Sequence, residues 1–522
     1  MKQLAATASA AQDTTEENGR PRLEEIVVGK DVLELVSSAM YVDPLTVYRE
    51  YVQNAADAID EAKRRGELPK GKRGRVDITI DAPSRSVRIR DNGSGIAWMD
   101  FVRKLTALGA SEKRGSSARG FRGVGRLAGL GYAQELVFRS RTEGESEVSE
   151  LRWDCRALKA SLRAAETDHG VADLIRRIVT VGRVHAKGYP ARFFEVEMKG
   201  VIRLRSDRLM GAAAVADYLS QVAPVPFSPE FTFGKEISDA IGAEVNLGEV
   251  DLFVEGVESQ VYRPHRDSYA IDDKKSVNFS GLDILRIPGV DGETAAIGWI
   301  LHHEYDGALP NAALMKGLRL RSGNIQIGEN ALLEELFAEP RFNVWSVGEV
   351  HVVDRRIVPN GRRDHFEQNT HFHNLLNHLA PAARDISRRC RTNSIRRKWL
   401  REHELQREAA ADAIKIVGQR SLSKTELSKF AKAAEKSLQQ MEKIAAMSVF
   451  APDGIKESHG VVTRLRNKLA KQVADGAAET SPLASLTSGQ RKTYEKVFEL
   501  IYKCSSNQMA AKTLIDKILQ AI

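Results

Sequence analysis

The chain has 522 residues, of which 28% are charged, with a formal net charge of +8 and three cysteines. That length exceeds one ordinary core and suggests about three domains, while no apolar run approaches the roughly 18–20 residues of a membrane span. Cys155, Cys390 and Cys504 are too few and too scattered for a disulfide framework or a zinc site, and they fit a reducing cytoplasm.

The first 22 residues, MKQLAATASAAQDTTEENGRPR, are small and polar without the compact apolar stretch of a secretory signal, and the expectation is a disordered lead-in. The segment YREYVQNAADAIDEA at 48–62 predicts a helix. Tyr48, Tyr51, Val52, Ala55, Ala58 and Ile59 form an apolar stripe, and the alanines have high helix propensity. On it Glu50, Asn54 and Asp57 follow at i, i+4 and i+7 and share one face. Glu50 there can polarise a water as general base, and the Asn54 carbonyl oxygen can ligate Mg²⁺, which prefers oxygen donors. A solvated polar face on an amphipathic helix is the competing reading.

RVDITID and SVRIRD alternate apolar and polar residues like adjacent strands. They lead to DNGSGI at 91–96, where Asp91-Asn92-Gly93 signals a turn. A hairpin-like turn explains it structurally. Functionally, the Asp91 carboxylate would accept a hydrogen bond from an exocyclic amine, with Gly93 and Gly95 letting a ring approach the backbone.

The run GFRGVGRLAGLG at 120–131 spaces Gly120, Gly123 and Gly125 so that backbone N–H groups converge on phosphate oxygens at a helix start. It lacks the preceding strand and later acid of a Rossmann fingerprint and the Gly-Lys-Ser/Thr ending of a P-loop. The stretch before it, 108–117, is small, polar and glycine-flanked. It predicts a mobile lid carrying a phosphate-seeking Lys113. In this order the three segments supply what is needed to hold ATP with its magnesium ion and to position a water.

Strands follow at LVFRSR, VSELRWD, IVTVGRVHA and FFEVEMKGV, with helices around 155–164 and 212–221. Strands on one side and helices on the other predict a two-layer α/β sandwich over 23–235, closed by the Pro-rich VAPVPFSPEFTFG. A second α/β region over 236–385 contains VDLFVEGV, AAIGWILHH, LRLRSGNIQIG and WSVGEVHVVD. From 386 to 522 the chain predicts helices, opening on a basic stretch of Arg388, Arg389, Arg391, Arg396, Arg397, Lys398 and Arg401. Such a helix can bind nucleic acid, although a charge run is more often simply solvated. His365, His371, His373 and His378 cluster without ligand spacing, and helix-surface histidines are expected.

The three N-terminal segments resemble the ATP-site motifs of the GHKL superfamily, which includes gyrase-type topoisomerases, HtpG-type heat-shock chaperones, histidine kinases, MutL-type repair proteins and MORC proteins. The resemblance implies a magnesium-dependent ATPase with Glu50 as base, Asn54 as magnesium ligand and Asp91 as adenine contact. It also implies a pocket shaped by Asp57, Gly93, Gly95, Ile96, Lys113, Gly120, Phe121, Gly123, Val124 and Gly125. Glu50 argues against the histidine kinases. The run Ala191–Met198 departs from the pattern, lacking the Gly-Thr pair that many of these ATPases place near the adenine. Farther on, VPNGRRDHFEQN at 358–369 is similar to the middle-domain loop of HtpG-type chaperones from which an arginine meets the γ-phosphate. Arg363 matches that position and Arg362 lies next to it. In gyrase-like and MutL-like relatives a lysine serves this purpose, which makes Lys316, in MKGLRLRSGNIQI, a rival; that run otherwise reads as a solvated basic hairpin. Two function classes follow. One is an HtpG-like chaperone ATPase, a cytoplasmic homodimer whose closure acts on protein clients. The other is a MORC- or MutL-like clamp on DNA or RNA.

Overall fold

The computed structural model describes residues 43–107, 125–163, 171–204, 206–272, 275–310, 312–450, 455, 457–478 and 482–522. The lead-in expected over 1–22 lies outside them, as do Lys113, Gly120, Phe121, Gly123 and Val124. The chain forms two compact units. One runs to Arg384 without Glu304–Ala308, and the other joins Glu304–Ala308 to Asp385–Ile522.

The first unit is built on two sheets. Its elements begin with α1 (Thr46–Arg64), β1 (Gly74–Asp81), β2 (Ser86–Asp91) and α2 (Trp98–Thr106). A 3-10 turn (Gly125–Gly131) then leads to β3 (Glu135–Arg141) and β4 (Glu147–Asp154). Next come α3 (Cys155–Arg163), α4 (Val171–Ile178), β5 (Val179–His185), β6 (Phe193–Lys199), α5 (Ala212–Val222), α6 (Gly234–Gly242) and β7 (Val250–Val254). The first sheet has seven strands in the order β5-β4-β3-β6-β2-β1-β7. All neighbours are antiparallel except β1 and β7. VDLFV, grouped with the second region in the sequence reading, is thus the edge strand of the first sheet, beyond position 235.

Alternation along the strands separates two faces. Val76, Ile78, Val87, Ile89, Leu136, Phe138, Leu151, Trp153, Val196, Met198, Leu252 and Val254 share one buried cluster with residues from α1, α2, α3, α4 and α5. All five helices therefore cover the same face, which is the two-layer arrangement. The opposite face is an ion lattice. Arg139 reaches Glu150 at 2.7 Å, Glu195 at 2.9 Å and Glu197 at 2.7 Å, and Arg90 reaches Glu195 at 2.5 Å.

After the short pair β8 (Ser268–Asp272) and β9 (Lys275–Asn278) come β10 (Gly281–Pro288), β11 (Thr294–His302), β12 (Gly317–Ser322), β13 (Ile325–Ile327) and β14 (Val347–Val352). The last five form the second sheet, ordered β10-β11-β14-β12-β13. The basic run 315–327 is indeed a hairpin, with Asn324 in its turn at φ +63°. It is not solvated, because Arg319 and Arg321 are both buried.

Helix α7 (Thr370–Gln419) belongs to the first unit up to Arg384 and to the second from Asp385. The second unit adds α8 (Lys424–Ala445), α9 (Ser458–Ala478), α10 (Ser488–Cys504) and α11 (Gln508–Ala521). Three apolar clusters hold it together, and Thr487 with Gln490 closes a capping box on α10. Arg388, Arg389, Arg391, Arg396, Arg397, Lys398 and Arg401 are exposed, with Arg388 and Arg389 both paired to Asp385.

Candidate nucleotide site

Helix α1 brings its polar residues to the site because its other faces are claimed by the core. Tyr48, Val52, Ala55, Ala56 and Ile59 are buried against the sheet. The Tyr48 hydroxyl donates to the Leu209 carbonyl at 2.5 Å. The Tyr51 hydroxyl accepts from the Gly129 N–H at 2.8 Å, which ties the glycine-rich turn to the helix. That turn, expected to open an α-helix, is 3-10 over its described part.

Glu50 is 4% exposed and faces Gly125 across a gap in which no side chain fits. A Cβ on Gly125 would stand 2.2 Å from Glu50 Oε2. Two guanidiniums flank the carboxylate: Arg49 Nη2 lies 3.9 Å and Arg363 Nε 3.7 Å from Oε1. Arg363 arrives from the loop after the second sheet in a left-handed backbone, φ +57°, and its carbonyl accepts from the Gly328 N–H at 2.9 Å. The neighbouring Arg362 contributes its carbonyl, which accepts from Arg49 Nη2 at 3.4 Å. Lys316 stands just before β12, bridged to Val347 through the backbone. The structure thus brings Arg363 to Glu50.

Asp91 ends β2 and is 5% exposed. Its Oδ1 accepts from the Gly93 N–H at 2.8 Å. Burial pushes its pKa up to about 7, opposed by that hydrogen bond and by the nearby Arg192 charge. The loop is fixed to both sides: the Ser94 N–H donates to the Ala58 carbonyl at 3.1 Å, and the Ile96 N–H to Ser140 Oγ at 2.7 Å. A Cβ on Gly93 would sit 2.7 Å from the Ala58 carbonyl carbon, and one on Gly95, at φ +67°, would sit 2.5 Å from the Arg141 carbonyl oxygen. Glycine is therefore required at both positions by space, and at Gly95 by backbone conformation as well.

Asn54 is half-buried on the Glu50 face. Asp57, one turn farther on, is buried and lines a cleft of about 1100 Å³ with Asp60, Lys63, Lys70 and Glu249. Beside Asp91 the departure from the Gly-Thr pattern has a structural counterpart. Phe194 of β6 pairs with Asp91, and Arg192 reaches Glu67 at 3.0 Å and the Asn92 carbonyl at 3.4 Å. Arg49, Arg192, Tyr51 and Ser140 were not among the expected site residues. Arg49 could have been found from its place next to Glu50, whereas the others are brought in only by tertiary pairing.

Residues 43–172 match a family model described as histidine kinase-, DNA gyrase B-, and HSP90-like ATPase. The chaperone protein HtpG of Anaplasma phagocytophilum (strain HZ) is 29% identical over 201 residues, 32% of this chain and 31% of that protein. The DNA mismatch repair protein MutL of Aeromonas hydrophila subsp. hydrophila is 31% identical over 129 residues, 23% of this chain and 18% of its own length. HtpG of Escherichia coli O1:K1 / APEC is 26% identical over 170 residues, covering 28% and 25%. The chain spans less than a third of the length of these relatives. With the sheet, helix α1 and the two glycine-bearing turns, these matches define a nucleotide-binding class of fold. Residues 43–172 thus match the GHKL type of domain, and the mixed α/β fold of the first unit agrees with that match.

The donor set suits ATP with magnesium: a buried carboxylate acceptor at Asp91, glycine cradles that a Cβ would fill, an amide oxygen at Asn54 and a carboxylate at Glu50. Among the described residues no cluster of histidine, cysteine and acids could hold a further metal ion, and no helix is long and apolar enough to cross a membrane.

Proposed function

We propose that the chain hydrolyses ATP and uses the nucleotide to close its first sheet domain against the second. In this reading Glu50 is the general base, taking a proton from the attacking water. Asn54 presents its amide oxygen to Mg²⁺, which would neutralise phosphate charge. Asp91, when ionised, accepts from the adenine amine. Arg363 offers a planar, multidentate fork to the γ-phosphate. The observation that carries this reading is the Arg363 Nε, 3.7 Å from Glu50 Oε1 although 313 residues separate the two in sequence. An arginine supplied from a second domain makes turnover depend on domain closure.

The test is Arg363→Ala in the full chain, with Arg362→Ala and Lys316→Ala beside it. Removing a guanidinium from transition-state charge lowers turnover by on the order of 10²-fold or more, while nucleotide affinity changes far less. Unaltered turnover in Arg363→Ala, with loss in Lys316→Ala, would transfer the role to the lysine.

Closure of this kind fits an HtpG-like chaperone, a cytoplasmic homodimer acting on protein clients, and the HtpG matches support that reading. The second reading is a MORC- or MutL-like clamp on DNA or RNA. It is favoured by the exposed basic stretch of α7 and by the MutL match. A salt-titrated binding assay on duplex DNA separates the two, since clamp affinity falls steeply with salt.

A further inference from the structure

Helix α5 touches α1 on one side and is gripped by the second sheet on the other. On the α1 side, Tyr218 packs against the buried cluster that holds Val47, Tyr48 and Tyr51, within electrostatic reach of Arg49 and Glu50. One turn later, Gln221 meets two buried arginines. Arg321 Nη2 donates to the Gln221 carbonyl at 2.5 Å, and its Nη1 to the Ala223 carbonyl at 3.4 Å. Arg263 Nε donates to the Val225 carbonyl at 3.0 Å. These are carbonyls at and just past the end of α5, where cations complement the negative end of the helix dipole.

Arg321 and Arg263 share Glu349, at 2.7 and 2.6 Å, so each has a hydrogen-bonded carboxylate inside the fold. Like Arg321, Arg319 is buried, and burial pushes the pKa of both down to about 10 against the pull of Glu349. Arg319 differs in its partners. Its hydrogen bonds go to neutral oxygens: Gln221 Oε1 at 3.2 Å, Gln326 Oε1 at 3.1 Å, the Lys316 carbonyl at 3.3 and 3.2 Å, and the Leu314 carbonyl. A cap on α5 alone would be served by Arg321. A second guanidinium, buried without a hydrogen-bonded carboxylate, is an expensive way to hold a loop. Its bonds tie together α5, β13 and the backbone just before β12.

We propose that Arg319 is a positioning residue for ATP turnover, bridging Gln221 to the Lys316 carbonyl so that the second sheet sets, through α5 and Tyr218, where Glu50 stands. The proposal rests on the reading of Glu50 as the base. It requires no contact between Arg319 and nucleotide. When the second sheet shifts, the Gln221 end of α5 shifts with it, and Tyr218 carries the displacement to the turn of α1 that holds Thr46, Arg49 and Glu50. A displacement of about 1 Å at a reacting group is enough to change a rate 10²-fold.

The experiment uses the full chain and measures kcat and KM for ATP, equilibrium affinity for a fluorescent ATP analogue, and thermal midpoint. Gln221→Met removes the acceptor from a half-buried site. It is expected to lower kcat by about tenfold or more while KM and affinity stay within about threefold. Arg319→Met should do the same, and the double variant should be no slower than the slower single, because both break one link. Gln221→Glu keeps the acceptor and should retain turnover. If Arg319→Met does not fold, the contrast between Gln221→Met and Gln221→Glu decides alone. A lowered midpoint with unchanged kcat in Gln221→Met overturns the proposal and leaves a structural cap. A wild-type chain without turnover instead removes the ATPase reading, and the coupling with it.

Discussion

Asp91 links the chemistry of the site to the stability of the fold, and Asp91→Asn separates the two. The carboxyl is buried, and its pKa stands near 7 against an ordinary 3.8. Between those values the folded chain keeps a proton that the unfolded chain has released, so stability falls as pH rises through this window. The contribution is fully present below about pH 4 and gone above about pH 7. At about 1.36 kcal/mol per pH unit, the ionised carboxylate costs the nucleotide-free fold on the order of 4 kcal/mol at pH 8. Asparagine does not titrate, and its Oδ1 can still accept from the Gly93 N–H. Without nucleotide, Asp91→Asn should therefore gain on the wild type from pH 5.5 to pH 8, by about 2 kcal/mol over that interval.

The same substitution should abolish tight ATP binding, because the amide nitrogen would meet the adenine amine donor to donor. Wild-type affinity should itself weaken about tenfold per pH unit below 7, as the acceptor is protonated. Urea unfolding of both proteins at a series of pH values, with calorimetric ATP titrations at the same points, reads out both effects. Parallel stability curves for the two proteins would refute the desolvation argument. An affinity that is flat from pH 8 to pH 6 would remove Asp91 from the adenine.

Three further outcomes follow from the geometry. Glu50→Ala should abolish turnover while nucleotide affinity stays within about threefold, measured by steady-state hydrolysis and direct titration; simultaneous loss of both would sink its role as base. Gly125→Ala places a Cβ 2.2 Å from Glu50 Oε2. The carboxylate must swing away by about 1 Å between its flanking arginines, and kcat should drop on the order of 10²-fold, so wild-type turnover in this variant would mean that Glu50 is not held there. Arg363→Gly relieves the left-handed backbone at φ +57°. It should leave the thermal midpoint within a few degrees, since relieved strain and added unfolded-state entropy are each about 1 kcal/mol, yet cut turnover as deeply as Arg363→Ala.

Local chemistry made part of this molecule legible in sequence. The stripe Tyr48–Ile59 sets helix α1 and hence the face of Glu50 and Asn54, because a helix period fixes both at once. RVDITID and SVRIRD form strands for the same reason, and the Asp-Asn-Gly turn lies where its backbone preferences put it. VDLFV was recognisable as a strand, but its partner was not. It pairs in parallel with β1 across more than 170 residues, and nothing in five apolar-alternating residues specifies that neighbour.

The basic hairpin shows the limit most clearly. LRLRS reads as a strand with arginines on its wet face, since water is the default partner for a guanidinium. What buries Arg319 and Arg321 lies elsewhere in the chain: the end of α5 some 98 residues upstream, and, for Arg321, Glu349 28 residues downstream. A helix end offers unpaired carbonyls on the same terms as water does, and Glu349 of β14 adds a counter-charge that Arg321 shares with Arg263. An alternating basic strand thus has two stable environments, solvent or a helix terminus, and its own residues do not distinguish them. The choice is made by the position of α5, which packs on the helix that carries Glu50. The residues least legible in the sequence are accordingly those that join the second sheet to the site.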